Sequence, residues 1–372
     1  MTRSQFVRLA VEAFVPMLRS DKISRMELKV LFSEDPAFVI RTADKFLSSE
    51  PVLHNLILSI LHSRVTQGDP GRYWIALHGE ETVGVVVQSP LEYPATLTPM
   101  GPRTVMALVD AIAEAGVTLP GVNGDAATAA SFAGQWSERC KSAAVPFQGT
   151  RLYELLELGE VPRTAGHLRQ AGPRDRSLMI LWTRAFQDEI GESANDTERR
   201  VDRALAAGQI WLWDQNGETT SMAVGRESAQ GVVRLSGVYT PPEKRKHGYA
   251  AACVHAVSKY LRDCGYRCIL YTDLGNPTSN SIYRRIGYKA VAEALRYRFD
   301  CSSKAAVQPR RLPAVWSVMS ATLTLPITEG LPVSRNLTAD SCPVPRRLLP
   351  ATGQLGVVPA VGKPLSITST RS

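Results

Sequence analysis

The sequence is poor in the residue patterns that build metal centres and disulfide-stabilised folds. Its six cysteines are scattered, no two of them form a C-x-x-C element, and the six histidines are not clustered. Structural zinc sites and small secreted scaffolds depend on such spacings. We therefore expect neither a disulfide framework nor a bound metal.

Long apolar runs are also missing. No stretch approaches the roughly 18 uninterrupted apolar residues of a membrane-spanning helix. The N-terminus lacks the succession of basic, apolar and small residues that marks a secretory signal. These absences predict a cytoplasmic protein that makes no use of a membrane.

Acidic and aromatic residues are scarce at the C-terminal end. Residues 302–372 contain eight Lys or Arg and two acids, so this segment carries +6 of the formal net charge of +8. It also holds nine of the 24 prolines and a single aromatic residue, Trp316. Such a composition cannot bury enough apolar surface to order itself. We expect residues 301–372 to be a disordered basic tail, and we do not expect a nucleic-acid partner, because widely spaced basic residues are usually solvated.

The remainder of the chain is sufficient for two ordinary domains. A length of 372 residues corresponds to two or three domains of about 100 to 200 residues, and the hydrophobic content is 44%. Residues 1–25 contain scattered apolar positions interrupted by Pro16 and are interpreted as an extension ahead of the first domain.

The most informative segment joins a strand to a helix through a basic loop. Residues 231–240 (GVVRLSGVYT) alternate like a strand, and the two prolines that follow cannot continue its hydrogen-bond ladder. The loop KRKH (residues 244–247) precedes Gly248, which opens a segment with helical apolar spacing. A helix N-terminus behind a glycine offers free backbone amides to an anion such as a diphosphate. A solvated basic turn is the alternative interpretation.

Two sequence blocks in this order resemble the GNAT superfamily of acetyl-CoA-dependent N-acetyltransferases. Residues 245–250 (RKHGYA) fit the signature Arg/Gln-x-x-Gly-x-Gly/Ala, with Lys246 where the family often has glycine. Downstream, residues 269–273 (ILYTD) read as a strand and residues 280–288 (NSIYRRIGY) as a short helix. We expect Asn280 to cap this helix, and Tyr283 to be buried one turn later.

The resemblance implies an α/β (α+β) fold in which two parallel strands, residues 232–240 and 268–273, splay apart to admit the pantetheine arm. It also implies that backbone groups of the first strand and of the loop bind acetyl-CoA, and no metal is implied. The residues assigned to cofactor binding on this basis are Val238, Tyr239, Thr240, Arg245, Lys246, His247, Gly248, Tyr249, Ala250, Asn276 and Asn280.

Acetyl transfer to an amine defines the catalytic roles to be filled. Tyr283 is the candidate acid for the departing thiolate, and a backbone N–H near Val238 is the candidate donor to the carbonyl oxygen. The base stays open between Glu189, Glu192 and a chain of water molecules.

An internal repeat predicts a second unit of the same kind. Residues 74–85 (WIALHGEETVGV) align without gaps on residues 211–222 (WLWDQNGETTSM), and both read as a hairpin that follows a helical region. The first unit has no basic loop before its helix at residues 104–115. We therefore predict two GNAT-like domains, each a mixed sheet flanked by helices: a degenerate one at residues 26–150 and a catalytic one at residues 151–300, with a strand at residues 151–158 bridging the halves.

These features predict an N-acetyltransferase that acts on a small-molecule or peptide amine by direct attack on acetyl-CoA. Two other functional classes stay open. One is an inactive protein that binds acetyl-CoA as a sensor, and the other is a scaffold or a nucleic-acid binder that acts through its basic tail. The acceptor and the oligomeric state cannot be read from the sequence.

Overall fold

The computed structural model describes residues 28–191, 197–226 and 228–300, which form one 12-stranded mixed sheet with helices on both faces. The predicted extension at residues 1–25 and the predicted tail at residues 301–372 lie outside the described residues. The strands are β1 (Leu28–Ser33), β2 (Arg72–His78), β3 (Glu81–Gln88), β4 (Ala95–Leu97), β5 (Gly121–Asp125), β6 (Ala143–Leu155), β7 (His167–Gln170), β8 (Ile210–Gln215), β9 (Glu218–Gly225), β10 (Val232–Tyr239), β11 (Arg267–Asp273) and β12 (Tyr288–Asp300).

Eight α-helices are found in this part of the chain. They are α1 (Pro36–Ser49), α2 (Asn55–Gln67), α3 (Pro102–Glu114), α4 (Ala126–Cys140), α5 (Arg176–Ile190), α6 (Thr197–Ala206), α7 (Tyr249–Asp263) and α8 (Pro277–Ile286). The mixed α/β fold expected from the sequence is confirmed. The sheet order is β1-β2-β3-β4-β5-β12-β6-β11-β10-β9-β8-β7.

The helical regions predicted ahead of each hairpin are both present as helix pairs. In the first half, helix α1 ends at Ser49 and helix α2 begins at Asn55. Helix α1 begins after Asp35, whose carboxylate accepts a 2.8 Å hydrogen bond from the amide of Ala37. An N-cap of this kind satisfies a backbone donor that the helix itself cannot pair. Strand β1, which precedes this helix and pairs with β2, was not predicted.

Both predicted hairpins form. Strands β2 and β3 pair antiparallel in the first half, and β8 and β9 do so in the second. The aligned tryptophans, Trp74 and Trp211, are each 1% exposed and lie in separate apolar clusters. The repeat noticed in the sequence therefore corresponds to two hairpins with the same buried anchor.

The middle of the sheet is built from strands of both halves. The predicted strand at residues 151–158 begins earlier, at Ala143, so the expected division at residue 150 falls within β6. Strand β6 pairs with β11 on one side and with β12 on the other, and β12 in turn pairs with β5. Strand β12 was not anticipated. The two halves thus share one continuous hydrogen-bonded sheet.

Alternate residues of the second hairpin point to opposite faces of the sheet, as the pleat requires. Trp211 and Trp213 pack with α7, whereas Leu212 packs with α5 and α6. No helix among the described residues is long and apolar enough to cross a membrane.

Candidate active site

Strands β10 and β11 separate halfway along their length. They pair in parallel from Val232 with Arg267 to Leu235 with Leu270, and the pairing stops there. Beyond this point β11 continues to Asp273 alongside β6, while β10 continues to Tyr239 alongside β9. The splayed parallel strands expected from the sequence are confirmed.

A bulge in β10 produces the separation. Ser236 is opposite Val224 and Tyr239 is opposite Met222, so β10 has one residue more than β9 across this interval. Gly237 within the bulge has a φ of +55°, a conformation that glycine adopts without a steric penalty. A bulge bends its strand and interrupts the ladder. As a result, Gly237 and Val238 have no register partner on either neighbouring strand of the described sheet.

The split leads to the N-terminus of helix α7. The strand ends at Tyr239, a short 3-10 turn spans Pro242–Lys244, and Gly248 is the N-cap of α7 with a φ of +82°. No side chain caps this helix, and its first turn contains no acidic residue. The first amides of the helix are therefore available to an anion.

Gly248 also lies against a neighbouring segment. A Cβ atom at this position would be 2.9 Å from Oγ1 of Thr164. Lys246 shares the positive φ, at +67°, so the lysine in place of the usual glycine still adopts a left-handed conformation. The loop path that the resemblance requires is thus compatible with this sequence.

Two cations of the loop are paired with acids. The Lys244 ammonium is 2.5 Å from Oε1 of Glu218, and the Arg245 guanidinium donates to Oε1 of Glu189 at 2.5 Å. Arg245 Nε also donates to the backbone oxygen of Thr240 at 2.9 Å. These bonds hold the loop against the end of β10 and against α5. Glu192, the other candidate base, lies outside the described residues.

The aromatic side chains of the loop pack on each other. The rings of His247 and Tyr249 are stacked with centroids 5.6 Å apart, and the Tyr249 hydroxyl donates to Oε1 of Gln215. Both side chains therefore make local contacts.

Helix α8 begins differently from the prediction. Asn276 is its N-cap, because Oδ1 of Asn276 accepts a 3.0 Å hydrogen bond from the amide of Ser279. The expectation that Asn280 caps this helix is wrong: the loop ends earlier, and Pro277 already has the fixed φ that suits a first helical residue. Asn280 lies within the first turn and is 6% exposed. Its Nδ2 donates to the backbone oxygens of Asp273 and Asn276 at 2.9 and 2.7 Å.

Tyr283 lies on the buried side of α8, in the apolar cluster that includes α7. Its ring packs edge-on against Tyr288 at a centroid distance of 6.1 Å. Burial raises the pKa of Tyr283 to about 12. The phenol therefore keeps its proton at neutral pH and is able to donate it.

A cavity of about 120 Å³ lies on the sheet face opposite α7. It is bounded by α5, α6 and β9 and extends to Ser236 and Gly237 of the bulge. Arg234 forms part of its lining although it is 3% exposed, and burial lowers the pKa of its guanidinium. Arg234 was not among the predicted site residues. Its signal in the sequence was the position of a charged residue inside a run of β-branched and apolar residues.

The corresponding place in the first half is built without a basic loop. Strands β4 and β5 pair in parallel through only two registered positions, Ala95 with Val122 and Thr96 with Asn123. Helix α3 follows directly, with Gly101 as N-cap and Pro102 as its first residue. This helix therefore begins without the basic loop that precedes α7.

The chain is similar to one family model and to solved structures. Residues 214–297 match the family model described as FR47-like protein. The X-ray structure of a Drosophila protein has a TM-score of 0.52 and 12% identity, and the match covers 74% of this chain and 99% of that one. The chain is also similar to an acetyltransferase of the GNAT family from Colwellia psychrerythraea, with a TM-score of 0.48, 12% identity and coverage of 74% and 100%. No curated protein sequence matches.

Proposed function

We propose that this chain is a GNAT-type enzyme that transfers an acetyl group from acetyl-CoA to a primary amine. The observation that carries the proposal is the separation of β10 from β11 after Leu235, which opens directly toward the uncapped N-terminus of α7. Strand β10 offers unpaired backbone groups along the split, and the N-terminus of α7 offers free amides at its end. A ligand with an extended arm and a diphosphate matches both.

The fit to coenzyme A is supported by the close packing at Gly248. A Cβ atom there would be 2.9 Å from Thr164 Oγ1, and the φ of +82° is unfavourable for a residue with a side chain, so glycine is the residue that this turn accommodates best. We propose that the amides of residues 246–250 bind the diphosphate, since the amide of Arg245 already donates to the backbone oxygen of Pro242 at 3.3 Å.

The backbone of Val238 and Thr240 is proposed to pair with the pantetheine arm as an added strand. Asn276 is proposed to line the arm at the start of α8, whereas Asn280 is proposed to position this helix, because its amide nitrogen already donates to the backbone oxygens of Asp273 and Asn276.

Lys246 and His247 are proposed to contribute mainly through the main chain. The His247 ring stacks on Tyr249 rather than extending along the split. Lys246 has the left-handed conformation that turns the loop toward α7. Because backbone amides carry the binding, the conformation of the loop matters more than most of its side chains.

The proposed chemistry is direct attack by the amine. The nitrogen lone pair forms a bond to the thioester carbonyl carbon, and the bond from that carbon to sulfur breaks. The N–H near Val238 donates to the carbonyl oxygen as negative charge develops on it, and Tyr283 gives its proton to the leaving thiolate.

The base that deprotonates the amine is proposed to be a chain of water molecules. Glu189 is engaged by Arg245 at 2.5 Å and is 43% exposed, so it is held as a partner of the loop.

The first half is proposed to be a second, degenerate copy of the same unit. The sheet order supports this proposal. From one edge of the sheet inward the strands follow in the order β1, β2, β3, β4 and β5, and from the other edge inward they follow in the order β7, β8, β9, β10 and β11. Strands β6 and β12 lie between the two sets.

A protein that binds acetyl-CoA without transferring the acetyl group is the alternative that an experiment must separate.

Calorimetric titration of the full chain with coenzyme A tests the proposal first. We expect saturable binding with one site in each chain, and release of free thiol from acetyl-CoA when a panel of primary amines is added. Binding without thiol release from any amine would favour the inactive sensor. Absence of binding would refute the acetyltransferase proposal.

A further inference from the structure

The cavity bounded by α5 and α6 reaches the same split from the face opposite α7. Its lining includes apolar side chains of both helices and of β9, and its inner end lies at Ser236 and Gly237, where β10 leaves β11. A molecule bound here would approach the unpaired backbone of Gly237 and Val238 from the other side of the sheet. The cavity is therefore placed to hold the second substrate of the proposed transfer.

Arg234 is the exceptional residue of this cavity. Its side chain is almost fully buried, yet Nε and Nη1 have no hydrogen-bond partner among the residues that the structure describes. Buried guanidinium donors that lack a partner are costly, and native proteins rarely leave such groups unsatisfied without a functional reason. A ligand that accepts hydrogen bonds from Arg234 would satisfy them.

The charge of Arg234 indicates the sign of that ligand. Arg226 also lines the cavity, but its Nε donates to Oγ of Ser236 at 2.9 Å, so the argument for an anion depends on the unpaired donors of Arg234. Tyr271 adds a hydroxyl close enough to Arg234 to interact with it electrostatically. The planar fork of a guanidinium matches a carboxylate through two parallel hydrogen bonds.

We infer that the acceptor is a small primary amine that also carries a carboxylate, with the carboxylate bound by Arg234 and the amine directed toward Gly237 and Val238. This inference rests on the proposed acetyl transfer and names its substrate class. The cavity has a volume of about 120 Å³, which favours an amino acid with a small aliphatic side chain. Phe186, Val201, Met222 and Val224 supply apolar contacts for such a side chain.

Matched pairs of amines that differ only in the carboxylate test the inference on the full chain. L-Leucine is compared with 3-methylbutylamine and β-alanine with ethylamine, while taurine and 2-aminoethylphosphonate represent other anions. We expect kcat/KM to be about 10- to 100-fold higher for each carboxylate than for its neutral partner, as charged hydrogen bonds require. Taurine and the phosphonate should fall below β-alanine. If the neutral amines or the other anions react as well as the carboxylates, the inference is overturned while the acetyltransferase proposal stands.

Arg234→Met provides the decisive variant because it keeps the length of the side chain and removes the charge. The ratio of kcat/KM within each pair should fall to about one, and Arg234→Lys should retain part of it. The Met variant should also melt at a higher temperature than the wild type, because it no longer buries unpaired donors. Arg41→Met, an exchange at an exposed arginine of α1, is the control and should keep the wild-type ratio.

A binding measurement separates the two proposals if no amine is acetylated. N-Acetyl-L-leucine, which carries the carboxylate but no free amine, is titrated calorimetrically into the wild type and Arg234→Met. Binding that the variant loses supports the carboxylate site even when transfer fails. No binding to the wild type, or equal binding to both, overturns it.

Discussion

The hydroxyl of Tyr153 donates a 2.8 Å hydrogen bond to Oδ1 of Asn280, which joins strand β6 to helix α8. Both side chains are buried. The amide nitrogen of Asn280 is bonded to the loop that precedes the helix. The position of α8, and with it that of the proposed acid Tyr283, therefore depends on a strand that begins in the first half of the chain.

Substitutions in this pair should show energetic coupling. Asn280→Ala should lower the free energy of unfolding by about 2 to 3 kcal/mol, because it leaves the Tyr153 hydroxyl and two backbone oxygens without their donor or acceptor. Tyr153→Phe should cost about 1 to 2 kcal/mol for the same reason. Denaturant unfolding of both variants and of the double variant measures the coupling. Strictly additive losses would contradict the proposed link between β6 and α8.

Tyr283→Phe should lower turnover by about 100-fold or more, because proton transfer by a positioned acid contributes on that order. The affinity for acetyl-CoA should change little, since the phenyl ring preserves the packing on Tyr288. Steady-state kinetics and calorimetric titration separate the two quantities. Tyr73→Phe, at another buried tyrosine in the first half of the chain, is the matched control. An unchanged rate would remove Tyr283 from the acid role.

The raised pKa of Tyr283 also predicts a loss of stability at high pH. Its pKa is about 12 in the folded protein, against an ordinary value of 10. Burial thus favours the neutral phenol, so the stability is fully present below pH 10 and decreases as the pH rises toward 12. The loss attributable to this group is about 2 to 3 kcal/mol. Unfolding of the wild type and Tyr283→Phe between pH 9 and about 12 should show a smaller decrease in the variant; parallel curves would contradict it.

Gly248→Ala should weaken coenzyme A binding by about tenfold or more, since the added Cβ meets Thr164 Oγ1 and a positive φ is unfavourable for alanine. Gly265→Ala is the matched control, because Gly265 follows α7 with a φ of +85° and has open space around it. The control should lose about 1 kcal/mol of stability and bind normally. Adding Thr164→Ala to Gly248→Ala should restore part of the affinity. Equal affinity of Gly248→Ala and the wild type would argue against the proposed diphosphate site.

Glu189→Gln tests whether this carboxylate is the base or only a partner of Arg245. As a partner it should change kcat by less than about threefold, because an exposed ion pair is worth little. The dependence of kcat on pH should then keep its wild-type shape. A fall of about 100-fold with loss of the ascending limb of the pH profile would identify Glu189 as the base instead.

Features that depend on neighbouring residues could be predicted from the sequence. The strand ending before two prolines, the helix opening at Gly248 and the paired hairpins all follow from spacing and from the conformational limits of glycine and proline. The error at Asn280 has a local cause as well, since Asn276 and Asn280 are both good capping residues and only the path of the loop decides between them. Strand β12 has no clear alternation in its burial, so its pairing could not be anticipated.

By itself, the sequence determined the second hairpin, strands β10 and β11 and the start of helix α7, because strand, turn and helix preferences act over a few positions. Only the tertiary structure decided how the halves join. It inserts β12 between β5 and β6, bonds Tyr153 to Asn280, and buries Arg234 in a cavity made by α5, α6 and β9. Each of these relationships brings together segments that are distant in the chain, and hydrogen bonding and burial at such distances depend on the complete fold rather than on local residue order.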